Sequence, residues 1–469
     1  MRKLYPLLPI TIAVALLSLF LFAVQTQAQE MTGHENPSLT HGEGSVTAHV
    51  AVQLEQGDNL VRKISFDCEI SGIDALLMTG LEVEAEDFGW GIAVCGINGV
   101  GCPVGDCWCV EDYFWNYVQW EVDSWVDPGV GASDTIISTT GKVEGWRWGK
   151  WGEGELPPAT NLVAASEALN WLALQQNAVT GGYGSTVEGS MSSSVESLLA
   201  IGANDHKAYQ WSRFPESTPL LQYVWSRSSY YAKKVAESGK LAAGLVASDG
   251  LCYPPITPDP MDFYDPLSGA YSEHSGFQAW GMLGTLALSD TVQPAASDYL
   301  KSLVKSDGGW EWNTVNPPLG TDTNTTALAI QTLIAAGEPP TSTIILNGLV
   351  YLKSAQQDDG GFLNSPDPDS PWYSEHSDAN STAYTIQAIY AAGQDPITGT
   401  WVISGTNPIE FMLDLQLVNG GFEWMKGQGV NMLATQQAIP ALLAESLPYK
   451  IGYFNQCPAA FLSDVHGRP

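Results

Sequence analysis

Positive charge is scarce in this chain. Lysine and arginine together number 19 against 51 aspartates and glutamates, a formal net charge of −32 over 469 residues. So acidic a surface repels phosphate backbones and anionic headgroups, which counts against nucleic acid and membrane-surface partners. Charged residues of either sign are also few, 15% against 44% hydrophobic, a composition that folds rather than stays disordered. Cysteine is limited to seven, an odd number, with no paired CxxC spacing, which argues against a zinc knuckle. Apart from one run near the N-terminus, no segment is long and apolar enough to span a bilayer, and the C-terminal SDVHGRP offers no anchor.

That one run, Leu4 to Val24, follows Arg2 and Lys3 and leads to small residues ending at Ala28. It reads as a secretory signal peptide over 1–28, with a retained anchor as the alternative. Clipping it takes the net charge to −34. The mature chain is then expected to be secreted, with no membrane span, and with 29–44 a polar, disordered tether.

Residues 45–151 carry a strand period. Val46 to Leu54 alternates as a half-buried strand does, and Gly72 to Leu77 suits a short helix. Short aromatic strands follow, Tyr113 to Trp120 and Val143 to Gly149, between Gly-rich turns. Cys68, Cys95, Cys102, Cys107 and Cys109 lie here, and Cys252 and Cys457 further on. In an exported chain these are disulfide candidates, at least two bridges being expected within this first domain; their connectivity is not readable from spacing. The run INGVGC…CWC…YFWNYVQW…DPGVGASDTIISTTGKVEGWRWG resembles the small β domain that closes transcobalamin and intrinsic factor. In those carriers the domain follows a helical one; here it comes first.

Residues 152–160 form a Gly/Pro linker, and helical patterns run from 161 to 447, followed by a tail over 448–469. The helical part repeats itself. YLKSLVKSDGGW starts at Tyr299 and YLKSAQQDDGGF at Tyr351, 52 residues on; TDTNTTALAIQTLIAAG and SDANSTAYTIQAIYAAG stand 56 apart. WLALQQNAVTGGY and FMLDLQLVNGGF are two more copies, and YSEHS occurs at Tyr271 and again at Tyr373. Each Gly-Gly is expected to cap a helix C-terminus, and Asp378 to cap the next helix at its N-terminus. Self-similarity at this period marks a helical repeat array. The GG-aromatic stops resemble the repeats of squalene cyclases, protein prenyltransferase β subunits and transcobalamin-like carriers. That resemblance implies an all-α α/α toroid, terpenoid cyclase-like, of six inner and six outer helices behind the small β-rich (α+β) domain.

In proton-initiated terpene cyclases an inner helix begins Asp-x-Asp-Asp-Thr-Ala, the middle Asp being the acid. The matching stretches are Asp322-Thr-Asn-Thr-Thr-Ala and Asp378-Ala-Asn-Ser-Thr-Ala. Thr325 and Ser381 stand where the acid should be, and a hydroxyl is too weak to protonate an alkene. The Asp/Cys/His zinc set of the prenyltransferases also has no match, so neither catalytic residues nor a metal is expected. Asp322, Asn324, Thr325, Asp378, Asn380 and Ser381 are the candidate ligand-binding residues, and helix capping is their plainer role. Tyr271, His274, Tyr373 and His376 are further candidates, for ligand contact or as copied packing residues. The expectation is a secreted, non-catalytic toroid that needs no cofactor and binds a large apolar or planar molecule. The resemblance to the vitamin carriers implies cobalamin or another corrinoid as that ligand. A cell-surface module binding a glycan or protein, and a terpene cyclase-like enzyme with a departed acid motif, are the alternatives.

Overall fold

The computed structural model describes residues 45–54, 58–186, 188–250, 259–313 and 320–452. The expected leader, the 29–44 segment, Cys252, Cys457 and the end of the tail lie outside the described residues.

The β-rich part contains β1 (Val46–Gln53), β2 (Asn59–Phe66), β3 (Ile70–Ser71), α1 (Gly72–Leu77), β4 (Val83–Asp87), β5 (Ile92–Ile97), β6 (Val100–Gly101), β7 (Phe114–Glu121), β8 (Ser124–Val126), β9 (Ile136–Ile137) and β10 (Val143–Gly149). Its main sheet has the order β2-β1-β10-β7-β8, with β1 and β10 parallel and the other pairs antiparallel. Ala48, Val50 and Val52 face a core shared with Leu60, Ile64, Trp115 and Trp146. The sequence reads β1 as half-buried, yet its other face is covered too. Ala51 and Val61 join the core of the helical part, because a helix of that part lies across β1 and β2. Two disulfides, Cys95–Cys107 and Cys102–Cys109, fasten the loops beyond β5, and Cys68 is free and exposed.

The helical part begins with α2 (Ala159–Gln175) and α3 (Met191–Gly202). It continues with α4 (Leu220–Trp225), α5 (Ser228–Tyr231), α6 (Val235–Ala247), α7 (Ser275–Ala287), α8 (Pro294–Ser302), α9 (Thr323–Ala335), α10 (Thr343–Ala355), α11 (Ala379–Ala391), α12 (Pro408–Asp414) and α13 (Met432–Leu442). Helices α3, α6, α7, α9, α11 and α13 each pack on the next, and α13 returns to α3. That closed inner ring is an α/α toroid, with α2, α4, α8, α10 and α12 outside it. No helix among the described residues is long and apolar enough to cross a membrane.

The repeated Gly-Gly does not cap a helix as the sequence suggests. Helix α10 stops at Ala355, and Gly360, at φ +88°, closes a tight turn in which Gly360 N–H donates to Gln357 O at 2.9 Å. A Cβ on Gly360 would stand 2.5 Å from Asn407 O, in the backbone leading into the next outer helix, and one on Gly361 would meet the Phe411 ring. Gly308-Gly309 receives Asn347 and Tyr351 in the same way, and Gly181-Gly182 receives Pro219 and Tyr223. Gly420-Gly421 receives Glu167 and Trp171 of α2, which joins the last repeat to the first and shuts the ring. The aromatic residue after each pair is fully enclosed. Its backbone N–H donates to a hydroxyl on the fourth residue of the inner helix: Tyr183 to Ser194, Trp310 to Thr326, Phe362 to Thr382 and Phe422 to Thr435, at 2.8–3.0 Å. The repeat is thus a latch between turn and helix, and burying its aromatic supplies a few kcal/mol per copy.

Candidate binding site

All inner helices start at one end of the ring and finish at the other. At the starting end, Asp322 and Asp378 cap α9 and α11, accepting from Thr325 N at 2.8 Å and Ser381 N at 2.9 Å. Ser381 Oγ donates back to Asp378 Oδ2 at 2.7 Å. Asn324 Nδ2 donates to Asn364 Oδ1 at 3.2 Å and lies 3.5 Å from Ser381 Oγ, so the two sets meet. Asn380 turns instead to Gln437 Oε1, at 2.6 Å. Both aspartates are buried, which pushes the Asp322 carboxyl up to about 6 and the Asp378 carboxyl in the same direction.

The two YSEHS copies occupy different places. Tyr271 stands where Phe362 stands, after a Gly-Ala turn, its hydroxyl 3.0 Å from Thr285 Oγ1 and its ring against Tyr264. His274 precedes α7, edge-on to Phe277. Tyr373 and His376 lie in an exposed loop before α11, His376 beside Asp358, Asp359 and Glu375 in a surface depression of about 360 Å³. The four residues therefore do not converge.

Side chains of the described residues pack inside the bore of the ring. Lys240 pairs with Glu196 and sits 5.0 Å over the Trp280 ring; Gln437 Nε2 donates to Glu196 at 2.9 Å. Burial alone would lower the Lys240 ammonium, but Glu196 beside it more than offsets this and holds it above the usual lysine range. After α13 the chain turns back into the bore, where Leu447 N–H donates to Gln331 Oε1 at 3.0 Å and Tyr449 hydroxyl to Gln387 Oε1 at 2.8 Å. With Tyr384 these groups leave a space of about 10 Å³, room for one water.

The finishing end is different. Each inner helix closes with a residue at positive φ and a backbone bond back across the last turn. Gly337 and Gly393 fill that position after α9 and α11; after α3 and α6 it is filled by Asp205 at φ +53° and Asp249 at φ +48°. A side chain there costs on the order of 1 kcal/mol, and strain of this kind gathers at functional sites. Lys207 pairs with both aspartates, at 2.7 Å to Asp205, and Lys450 lies 2.7 Å from Asp249 and 3.3 Å from Asp205. Helix C-termini carry partial negative charge, which adds to the attraction for these two ammoniums. Burial lifts the Asp205 carboxyl, but Lys207, Lys450 and Arg62 together bring it below its ordinary value.

Edge strand β2 lies over this end. Between them is a cleft of about 730 Å³, lined from above by Leu60, Arg62, Glu82 and Asn98 and from below by Asp205, His206, Lys207, Asp249, Glu445 and Lys450. Arg62 is 5% exposed, donates from Nη1 to Val61 O at 3.1 Å and lines the cleft. Burial lowers it to about 10, so it stays charged at neutral pH. Burial pushes Glu445 well above the usual carboxylate range and, with Arg62 and Lys207 nearby, His206 well below its own. The cleft thus brings cations and carboxyl groups together in one partly enclosed space. None of these residues was a sequence candidate. After α7 and α13 the same position is held by Ser289 and Ala444, so aspartate there was a weak signal, and the meeting of Arg62, Lys207 and Lys450 gave none in the sequence.

No protein-family model matches the chain, and no curated protein does. Solved structures do. A type II terpene cyclase from Scytonema, in complex with geranylgeranyl dihydroxybenzoate (substrate), matches at a TM-score of 0.40 and 13% identity, over 61% of this chain and 97% of that one. An ent-copalyl diphosphate synthase from Streptomyces platensis matches at 0.36 and 16%, over 54% and 50%. Candida albicans protein geranylgeranyltransferase-I, complexed with GGPP, matches at 0.34 and 13%, over 62% and 89%. At such identities these likenesses say nothing of substrate or reaction; the toroid is read from its own closed ring of helices.

Proposed function

We propose that this is an exported binding protein that holds a polar small molecule in the cleft between strand β2 and the finishing end of the inner ring. The observation that carries this reading is the contrast between the two spaces. Among the described residues, the space between Glu196, Tyr384 and Tyr449 inside the bore is about 10 Å³, whereas the cleft has about 730 Å³ and is lined by buried charges on strained backbone. Two disulfides support export. The lining favours a ligand rich in acceptors and donors, such as carboxylate or amide groups facing Arg62, Lys450 and Asp205. A corrinoid, with its amide fringe, belongs to that class, and rests otherwise on the resemblance of residues 45–151. Titration with cobalamin, beside mass analysis of whatever co-purifies, tests the reading; saturable binding that Arg62→Met weakens is the expected result.

A second reading, a terpene cyclase-type enzyme, is favoured by one observation. The buried Asp322 carboxyl, at about 6, is partly protonated near neutrality. It would need the bore to open. Turnover of geranylgeranyl or squalene substrates, abolished by Asp322→Asn, would establish that reading; none is expected.

A further inference from the structure

We propose that Phe88, Trp90 and Trp108, at the outer tip of the β-rich part, form a stacking platform for a neutral polysaccharide. Trp115, Trp146, Trp211 and Trp310 are buried, as tryptophan usually is. Trp90 and Trp108 instead are 75% and 51% exposed. They do not stand alone: the Phe88 ring lies between them, stacked on Trp90 at 5.7 Å with planes 27° apart and 4.9 Å from Trp108. Phe88 braces the two indoles, and the exposed surfaces of Trp90 and Trp108 on either side of it are what pyranose rings can cover with their C–H groups. Clustered exposed aromatics of this kind mark interaction sites.

The platform is also held in place. Both chain neighbours of Trp108, Cys107 and Cys109, are bridged, to Cys95 and Cys102. Glu86 Oε2 accepts from Gly105 N at 2.8 Å, tying the same loop to β4. The turn carrying Trp90 is closed by Phe88 N to Gly91 O at 3.0 Å and by Gly89 N to Asp87 Oδ1 at 2.7 Å. Rings fixed beforehand lose little conformational freedom on binding.

Charge selects the partner. No lysine or arginine occurs between Lys63 and Lys142, the stretch that contains the whole platform, while Asp87 and Asp106 flank it in the open. Anionic lipid, nucleic acid and uronic or sulfated glycans are repelled, and a bilayer would have to cover the carboxylates. Neutral sugars gain instead, because their hydroxyls can donate to those carboxylates. The platform is independent of the cleft.

Affinity electrophoresis of the full chain tests it, in gels holding β-glucan, xylan or galactomannan, with alginate as the acidic control and flotation with phosphatidylcholine vesicles alongside. At least one neutral polysaccharide should retard the protein, alginate and vesicles should not bind, and Trp90→Ala or Trp108→Ala should each weaken retardation by about tenfold without changing Tm. Trp90→Phe, which keeps a ring, should retain most of it. The proposal is overturned if no neutral polysaccharide retards the chain, if vesicles bind it instead, or if the alanine variants behave as the parent.

Discussion

Asn204 holds Val61 from both sides: Val61 N–H donates to Asn204 Oδ1 at 2.8 Å, and Asn204 Nδ2 donates to Val61 O at 3.0 Å. One side-chain amide thus stands in for the missing neighbour of edge strand β2 and fixes it to the end of helix α3. Asn59 adds a second fastening, its N–H to Glu445 Oε1 at 3.0 Å and its amide to Leu443 O at 2.9 Å. Asn204→Leu should leave the Val61 N–H buried without its acceptor, while Val61 O keeps the Arg62 bond, at about 1–3 kcal/mol. In calorimetry the β-rich part should then melt ahead of the ring; a variant that melts as the parent would show that docking rests on other contacts.

Stability should respond to pH in two opposed ways. His49 and Lys63 of the β-rich part meet Glu167 of α2 at 3.6 and 2.7 Å and bring its carboxyl down to about 2. That contribution is present above pH 4.5 and is lost as pH falls toward 2, so docking should weaken in acid. Asp322 has the other sign. Burial raises it from 3.8 to about 6, so its contribution is complete below 3.8 and is lost as pH rises through 6. Asp322→Asn keeps the capping oxygen but cannot ionise. Relative to the parent it should gain on the order of 3 kcal/mol between pH 4 and 7, read from urea midpoints. A constant difference across that range would place the group elsewhere than in a closed site.

Reduction of Cys95–Cys107 and Cys102–Cys109 should cost the β-rich part about 2–5 kcal/mol per bridge while the ring stays folded. Far-ultraviolet circular dichroism should keep its helical signal on adding reductant, as the β-rich part loses resistance to protease. Simultaneous loss of both would mean that the ring depends on the bridges.

The repeats made the ring legible. The 52- and 56-residue offsets, the Asp322 and Asp378 caps and the GG-aromatic punctuation all follow from local chemistry that one repeat carries alone. What Gly-Gly does was not legible, because Gly360 is required by the backbone of Asn407, in another repeat. The latch from Phe362 to the Thr382 hydroxyl was not legible, for the same reason. The two YSEHS copies misled by composition alone: Tyr271 is packed and Tyr373 is exposed. The cleft was hidden most deeply. Arg62, Lys207 and Lys450 are far apart in sequence, and only closure of the ring and docking of β2 bring them together. The fill of the bore depends likewise on where residues 447–449 fold back.

The central claim is that ligand is held in the cleft and not in the bore. Native mass spectrometry of the exported chain, after incubation with a small-molecule extract of its growth medium and separately with cobalamin, tests it most directly. The parent should carry a non-covalent adduct from at least one of these, and Arg62→Met and Lys207→Met should lose it. Asn380→Leu, at the other end of the ring, should keep it despite a lower Tm from the Gln437 Oε1 that loses its donor. An adduct kept by both cleft variants and lost in Asn380→Leu, or no adduct from either source, would contradict the account.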